Sequence, residues 1–160
     1  MGTGKSTVGR ALAESRRLGF VDTDAMIVQR NGPISEIFAN RGEEVFREME
    51  HSAAIELAQL TGVVIATGGR TLLDERNADA LATTGNIFCL TATVDTLTDR
   101  LLGHAERSKR PLLDCEDPRQ RIEDLLSERA EGYAQFTQID TTSRTVEQIV
   151  ELINNALDEQ

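Results

Sequence analysis

The chain has 160 residues, of which 39% are hydrophobic and 4% aromatic, and its formal net charge is −10. This length fits one globular domain with a single core, and the acidic charge with few aromatic rings argues against a nucleic-acid partner or an anionic membrane surface. No apolar run approaches the roughly 20 residues of a membrane span, and no secretory signal precedes the first motif, so we expect a cytoplasmic protein.

The chain opens on Gly2-Thr3-Gly4-Lys5-Ser6-Thr7, the second half of a phosphate-binding P-loop of the form G-x-x-x-x-G-K-S/T. Glycines let successive backbone N–H groups converge on one anion at the start of the following helix. Lys5 would then reach the β- and γ-phosphates, and the Ser6 hydroxyl would ligate Mg²⁺. A flexible N-terminal tail is the alternative, which the amphipathic helix that follows disfavours.

That helix is predicted by Val8, Ala11 and Leu12, which repeat at helical spacing, and Gly19 is its expected stop. The first glycine of the full motif would fall before Met1. We therefore expect the front of the loop, and the strand that leads into it, to be missing from this chain.

Short strands and helices alternate along the rest of the sequence. The predicted strands cover residues 20–22, 63–66, 87–90 and 138–140. The predicted helices cover residues 34–40, 43–59, 77–82, 94–102, 119–135 and 146–157. Such alternation implies a parallel sheet with helices on both faces, in which ligands bind beyond the carboxyl ends of the strands.

Polar residues follow these strands where a ligand would bind. Asp22 and Asp24 come directly after the first predicted strand. One carboxylate could hold Mg²⁺ through water, and the other could accept a proton from a substrate hydroxyl. A helix N-cap or an Asx-turn is the alternative for either residue.

Taken together, these residues resemble the shikimate kinase family over nearly the whole chain. The resemblance lies in the segment 2–10, the turn 22–24, Ile37-Phe38, Gly42-Glu43, Phe46-Arg47, Glu50, Gly68-Gly69, Arg110-Pro111-Leu112-Leu113, Glu128-Arg129-Ala130 and Tyr133. It implies a single P-loop NTPase domain over residues 1–160, with three α/β/α layers, a five-stranded parallel sheet and a lid over about 103–118. The strand missing before Gly2 would lie between the strands ending at Ala66 and Leu90, so we expect the chain alone to be poorly stable or inactive.

The resemblance also implies an activity: Mg²⁺- and ATP-dependent phosphorylation of the 3-hydroxyl of shikimate, a step of aromatic amino-acid (chorismate) biosynthesis. We expect a monomer, because no long apolar face is left over after the core is assigned. Matched position by position, the implied ATP site is Gly2, Thr3, Gly4, Lys5, Ser6, Thr7, Arg100, Arg110 and Arg144. The implied shikimate site is Asp24, Arg47, Gly68, Gly69 and Arg129, and the implied metal ligands are Ser6 and Asp22. Lys5, Asp24 and Arg110 are the implied catalytic residues, with Asp24 as the base.

Two of these assignments rest on the resemblance alone. Arg47 and Arg129 each have glutamates nearby in the sequence. For either arginine by itself, a solvated helix charge paired with such a glutamate is the better interpretation.

The sequence departs from the family pattern at Arg70, where a third glycine is expected. A bulky cation there must either turn away or enter the acceptor pocket, where it could favour a more anionic acceptor. Val146 also replaces a proline that is common near the adenine. Two alternatives therefore stay open: a related kinase for another small hydroxy acid or a polyol such as gluconate, and a non-catalytic binding protein. The second is disfavoured because both aspartates, Lys5 and the matched arginines are all present.

Overall fold

The computed structural model describes residues 2–102 and 117–159. In chain order its helices are α1 (Lys5–Arg16), α2 (Thr23–Asn31), α3 (Ile34–Arg41), α4 (Glu43–Leu57), α5 (Glu75–Ala82), α6 (Val94–Leu102), α7 (Pro118–Ala134) and α8 (Val146–Asp158). The strands are β1 (Gly19–Asp22), β2 (Val63–Ala66), β3 (Phe88–Thr91) and β4 (Thr137–Asp140), and a 3₁₀ helix covers Thr71–Leu73.

Every strand and helix whose bounds were predicted is present, with both ends within two residues of the prediction. The stop of α1 was predicted wrongly: the helix ends at Arg16, Arg17 takes the left-handed conformation with φ of 57°, and Gly19 instead opens β1. Leu18 closes the turn by donating its backbone N–H to the Ala13 carbonyl at 2.8 Å. A backbone cap therefore ends this helix without a glycine.

Helix α2 and the 3₁₀ helix were not predicted. Helix α2 begins where Asp22 accepts a hydrogen bond from the Ala25 N–H at 3.2 Å. The interpretation of Asp22 as an N-cap is thus correct for its backbone role. Only Thr23 and Ile27 of this helix are buried, too few positions to give a visible helical period.

The strands form two parallel pairs. In one, β1 runs beside β2 with Gly19 opposite Val63 and Asp22 opposite Ala66. In the other, β3 runs beside β4. The predicted α/β architecture with parallel strands is confirmed, but within residues 2–102 and 117–159 the strands form two separate pairs, where a single sheet was expected.

An apolar cavity of about 330 Å³ lies between β2 and β3. It is lined by both strands and by residues of α1, α4 and α8, among them Val8, Leu12, Leu57, Val64, Ile65, Phe88, Leu90 and Ile153. That a further strand would lie between the strands ending at Ala66 and Leu90 stays a prediction. The expected poor stability of the isolated chain stays a prediction.

Helix α4 shows how packing brings polar groups to the strand ends. Its buried face carries Phe46, Glu50, Ala53, Ala54 and Leu57 at helical spacing. Because Glu50 occupies a core position of this stripe, the packing that buries the helix also buries a carboxylate, which is 2% exposed.

In the described part of the chain, no helix has the length and apolar character needed to cross a bilayer.

Candidate active site

The loop before α1 has the backbone shape that binds phosphate. Gly2 and Gly4 take left-handed conformations, with φ of 77° and 88°. The Gly4 carbonyl accepts the first helical hydrogen bond from the Val8 N–H at 2.9 Å. The remaining free N–H groups at the start of α1 would face an anion held in the loop. Of the other predicted phosphate contacts, Thr3 is buried and Thr7 is exposed.

Lys5 is within electrostatic range of Asp22, the last residue of β1, and of Asp24 in α2. Burial lowers the pKa of Lys5, and the nearby carboxylates of Asp24 and Asp22 oppose this shift. The side chain is therefore a desolvated cation stabilised by two anions, an arrangement that strengthens its attraction for phosphate. The fold thus brings the P-loop close to the end of β1, where the sequence predicted ligand-binding aspartates.

Ser6 and Asp22, the two predicted metal ligands, are in direct contact. The Ser6 hydroxyl donates to Asp22 Oδ2 at 2.6 Å, while Asp22 Oδ1 accepts the cap hydrogen bond of α2. Within the described residues, no group of three or more His, Cys, Asp or Glu side chains is placed to hold a metal ion. One hydroxyl and one carboxylate fit Mg²⁺, which keeps several waters and binds phosphate oxygens as well.

Gly68 marks the point where β2, α2 and α4 meet. Its N–H donates to the Thr23 hydroxyl at 3.0 Å. A Cβ at this position would lie 2.7 Å from Asp24 Oδ1, 2.8 Å from Glu50 Oε1 and 2.8 Å from Thr71 Oγ1. The absence of a side chain at Gly68 therefore lets three polar groups converge at the end of β2.

Asp24 has the electrostatic character of a base. Burial raises the pKa of Asp24 above its ordinary value, and the Glu50 and Asp22 carboxylates raise it further, whereas Lys5 and Arg47 lower it. A carboxylate with a raised pKa takes up a proton more readily than an ordinary aspartate. Asp24 is thus suited to accept a proton from a hydroxyl placed beside it.

Replacing Gly68 with alanine is expected to lower kcat/KM about 100-fold, because the new methyl group must displace Asp24 and Glu50. Steady-state kinetics and circular dichroism of Gly68→Ala would measure the effect. Gly85→Ala is the control, since a Cβ there meets only the Leu81 carbonyl, at 3.5 Å. Equal kinetics for Gly68→Ala and the parent would show that the close approach is not required.

Two arginines lie on either side of the Gly68–Gly69 turn. Arg47 donates to Glu50 Oε2 at 2.6 Å and to Glu43 Oε1 at 2.6 Å. Arg129 donates to the Gly69 carbonyl at 3.1 Å, and the Tyr133 hydroxyl donates to the same oxygen at 3.0 Å. Arg47 thus pairs with Glu43, a helix partner of the kind that the sequence predicted, and also with the buried Glu50. Arg129 is instead held by the backbone of the turn.

The side chain of Arg100, on α6, reaches the segment after β4, and this segment also carries Arg144. Arg100 donates to the Thr141 hydroxyl at 3.0 Å and to the Thr141 carbonyl at 2.8 Å. Arg144 donates to the Asp140 carbonyl at 2.7 Å and to its carboxylate at 3.0 Å. The structure therefore brings these two predicted nucleotide contacts together, at an end of the second strand pair. Arg110 and nearly all of the predicted lid over about 103–118 lie outside the described residues.

Glu50 and Thr71 take part in the site, although the sequence suggested no role for either. The Thr71 hydroxyl donates to Glu50 Oε1 at 2.5 Å, and both residues are buried. The signal that could have identified Glu50 is a charged residue on the apolar face of α4. No comparable signal marks Thr71, whose role depends on the turn after β2.

Comparisons with known proteins point to one family. A family model described as shikimate kinase matches residues 1–158. A shikimate kinase from Geobacter sulfurreducens is 43% identical over 94% of this chain and 82% of its own length. Another, from Caldanaerobacter subterraneus subsp. tengcongensis, is 38% identical over 98% of this chain and 91% of its own length. The structure of shikimate kinase from Acinetobacter baumannii in complex with shikimate matches with a TM-score of 0.90 and 32% identity, covering 99% of this chain and 89% of that one.

Proposed function

The chain belongs to the shikimate kinase family, and from this premise we propose that it transfers the γ-phosphate of ATP to the 3-hydroxyl of shikimate. The products would be ADP and shikimate 3-phosphate. The observation that carries the proposal is the position of Asp24, whose carboxylate approaches Gly68 closely and interacts electrostatically with the P-loop lysine.

Arg47 and Arg129 would bind the carboxylate of the acceptor. Each presents a planar guanidinium, which can donate two parallel hydrogen bonds to a carboxylate. Arg47 is fixed by Glu50 and Arg129 by the Gly69 carbonyl. Holding the carboxylate at this end would place the ring hydroxyls towards Asp24, and such orientation supplies much of the rate in a two-substrate transfer.

Asp24 would remove the proton from the attacking hydroxyl. As the new bond between the acceptor oxygen and the γ-phosphorus forms, the bond to the β-phosphate oxygen breaks and ADP leaves. Lys5 and the N–H groups of the P-loop would stabilise the charge on the transferring phosphoryl group. Ser6 directly, and Asp22 through water, would hold the Mg²⁺ that neutralises the β- and γ-phosphates.

Arg100 and Arg144 would border the adenine. The guanidinium of Arg100, which lies on α6, is oriented by Thr141, and that of Arg144, after β4, is oriented by Asp140. We also propose Arg110 as a phosphate contact from the lid, because the developing charge favours an arginine brought in from a closing segment. The non-catalytic alternative is disfavoured by the pairing of Lys5 with both aspartates.

The rate is expected to fall on acidification with a midpoint above the ordinary aspartate pKa of 3.8. Because burial raises the pKa of Asp24, the unprotonated base is present above this raised pKa and is lost as the pH falls through it. Glu50→Gln removes a carboxylate that contributes to the shift, so its acid limb should move to lower pH. Profiles of kcat at saturating substrates would test this, and an unmoved or higher acid limb would contradict it.

The proposed acceptor is tested by an assay that couples ADP formation to NADH oxidation. Shikimate, quinate, gluconate and water alone would be compared as acceptors, with and without Mg²⁺. Turnover that requires both shikimate and Mg²⁺ is expected. Turnover of gluconate without turnover of shikimate would favour the alternative polyol kinase.

We further propose a cytoplasmic monomer that acts without nucleic acid or a membrane surface. The net charge of −10 supports the part of this proposal that concerns partners, because an acidic surface repels nucleic acid and anionic membranes. Light scattering coupled to size exclusion would measure the mass of the particle against the 17.6 kDa of one chain.

A further inference from the structure

Arg70 lies directly beside the groups proposed to bind the acceptor. It follows Gly69 and precedes the 3₁₀ helix, with an ordinary backbone φ of −128°. Its guanidinium donates to Glu43 Oε1 at 3.1 Å. An arginine is therefore accommodated in place of glycine without a left-handed backbone, and its side chain reaches towards the start of α4.

Glu43 connects Arg70 to the proposed acceptor site. The same Oε1 atom accepts hydrogen bonds from Arg47, at 3.1 Å from Nε and 2.6 Å from one terminal nitrogen. One carboxylate oxygen thus bridges two guanidinium groups. Arg47 also binds the buried Glu50, which fixes the position of its guanidinium. Glu43 in turn holds the Arg70 guanidinium near that of Arg47.

Arg129 experiences the same concentration of positive charge. Burial lowers the pKa of Arg129, and repulsion from Arg70 and Arg47 lowers it further. Three guanidinium groups therefore influence one region around the Gly69 carbonyl. Two glutamates are hydrogen-bonded to these guanidinium groups: Glu50 is bound by Arg47 and Thr71, and Glu43 by Arg47 and Arg70. Three guanidinium groups thus share two carboxylates, which favours an additional anion.

We propose that Arg70 is a specificity-determining residue, which adds a third guanidinium to the acceptor site and favours acceptors that carry a carboxylate. This inference rests on the proposed function, since it assumes that the acceptor carboxylate binds between Arg47 and Arg129. Glu43 keeps Arg70 near that position. The contribution is moderate, because the Arg70 side chain is 53% exposed and solvent screens its charge.

The test compares Arg70→Ala and Arg70→Lys with the parent, using shikimate and its neutral carboxamide as acceptors. Arg70→Ala is expected to raise the KM for shikimate about 3- to 10-fold, with kcat and the KM for ATP nearly unchanged. Arg70→Lys should fall in between, because it keeps the charge without the planar fork. The KM for the carboxamide should be the same in all three proteins.

Arg76→Ala is the matched control. The Arg76 side chain is 54% exposed and also forms ion pairs, but with Asp74 and Glu48, away from Glu43. It should leave the KM for shikimate unchanged. A purely structural role of Arg70 would alter both acceptors equally, and that result would overturn the inference.

Titration calorimetry with shikimate separates this inference from the proposed function. Weaker binding to Arg70→Ala than to the parent and Arg76→Ala supports a contact with the acceptor, whether or not turnover follows. If the parent phosphorylates shikimate and Arg70→Ala has the same Kd and KM as the parent, the inference is wrong and the proposed function stands. If the parent neither binds nor phosphorylates shikimate, both are wrong.

Discussion

Asp24→Asn is expected to lower kcat about 1,000-fold while the protein stays folded, because asparagine keeps the shape of the side chain but cannot accept the proton. The KM for ATP should change little, since the P-loop that holds the phosphates is untouched. The effect should be large because Asp24 lies beside the lysine of the P-loop and its raised pKa suits a base. Steady-state kinetics with a sensitive ADP assay would measure the residual rate.

The matched control for this variant is Asp79→Asn, a change of the same chemistry at an exposed position of α5. It should keep the parent rate. A kcat of Asp24→Asn within a few-fold of the parent would show that the acceptor hydroxyl needs no base at this position, and transfer would then depend on positioning and charge stabilisation alone.

Lys5→Met is expected to lower kcat/KM for ATP about 100- to 1,000-fold, because it removes a preorganised cation from the transferring phosphoryl group. The fold should persist, since burial already disfavours the charged amine and methionine has a similar length. The change should also move the acid limb of the residual activity to higher pH, because Lys5 lowers the pKa of Asp24.

Kinetics, thermal unfolding and a pH profile of Lys5→Met would check these three outcomes together. Arg10→Met serves as the control on the same helix, where the guanidinium lies over the Phe20 ring, 4.5 Å from its centroid, and is exposed. Full activity of Lys5→Met would contradict the assignment of the lysine to the phosphates, and an acid limb moved to lower pH would contradict its pairing with Asp24.

The sequence predicted β1 to β3 well because each contains a short apolar run with polar residues after it, whereas in β4 only Ile139 is apolar and buried. Val63–Ala66 was predicted without error, and Gly68, two residues beyond its end, is where Asp24, Glu50 and Thr71 converge. Helix α2 was missed because Asp22, Thr23 and Asp24 have the composition of a turn and only two of its residues are buried.

The site was predictable where topology alone brings residues together. Ser6 and Asp22 are 16 residues apart, but the P-loop and the end of β1 must adjoin in a parallel sheet, and their side chains are in contact. The contact of Arg129 with the Gly69 carbonyl joins residues 60 positions apart through the packing of α7, which no local pattern specifies. The hydrogen bond from Arg70 to Glu43 likewise depends on packing that no local pattern specifies.

The most direct test of the proposed phosphate transfer is phosphorus NMR of the reaction products, after circular dichroism has established that the purified protein is folded. With ATP, Mg²⁺ and shikimate, we predict equal amounts of ADP and shikimate 3-phosphate, with the new phosphate coupled to the proton on carbon 3, and about a thousandth of that product from Asp24→Asn in the same time. Formation of inorganic phosphate with shikimate unchanged, or phosphate on a different hydroxyl, would contradict the assignment of Asp24 as the base and of the site as a shikimate 3-kinase.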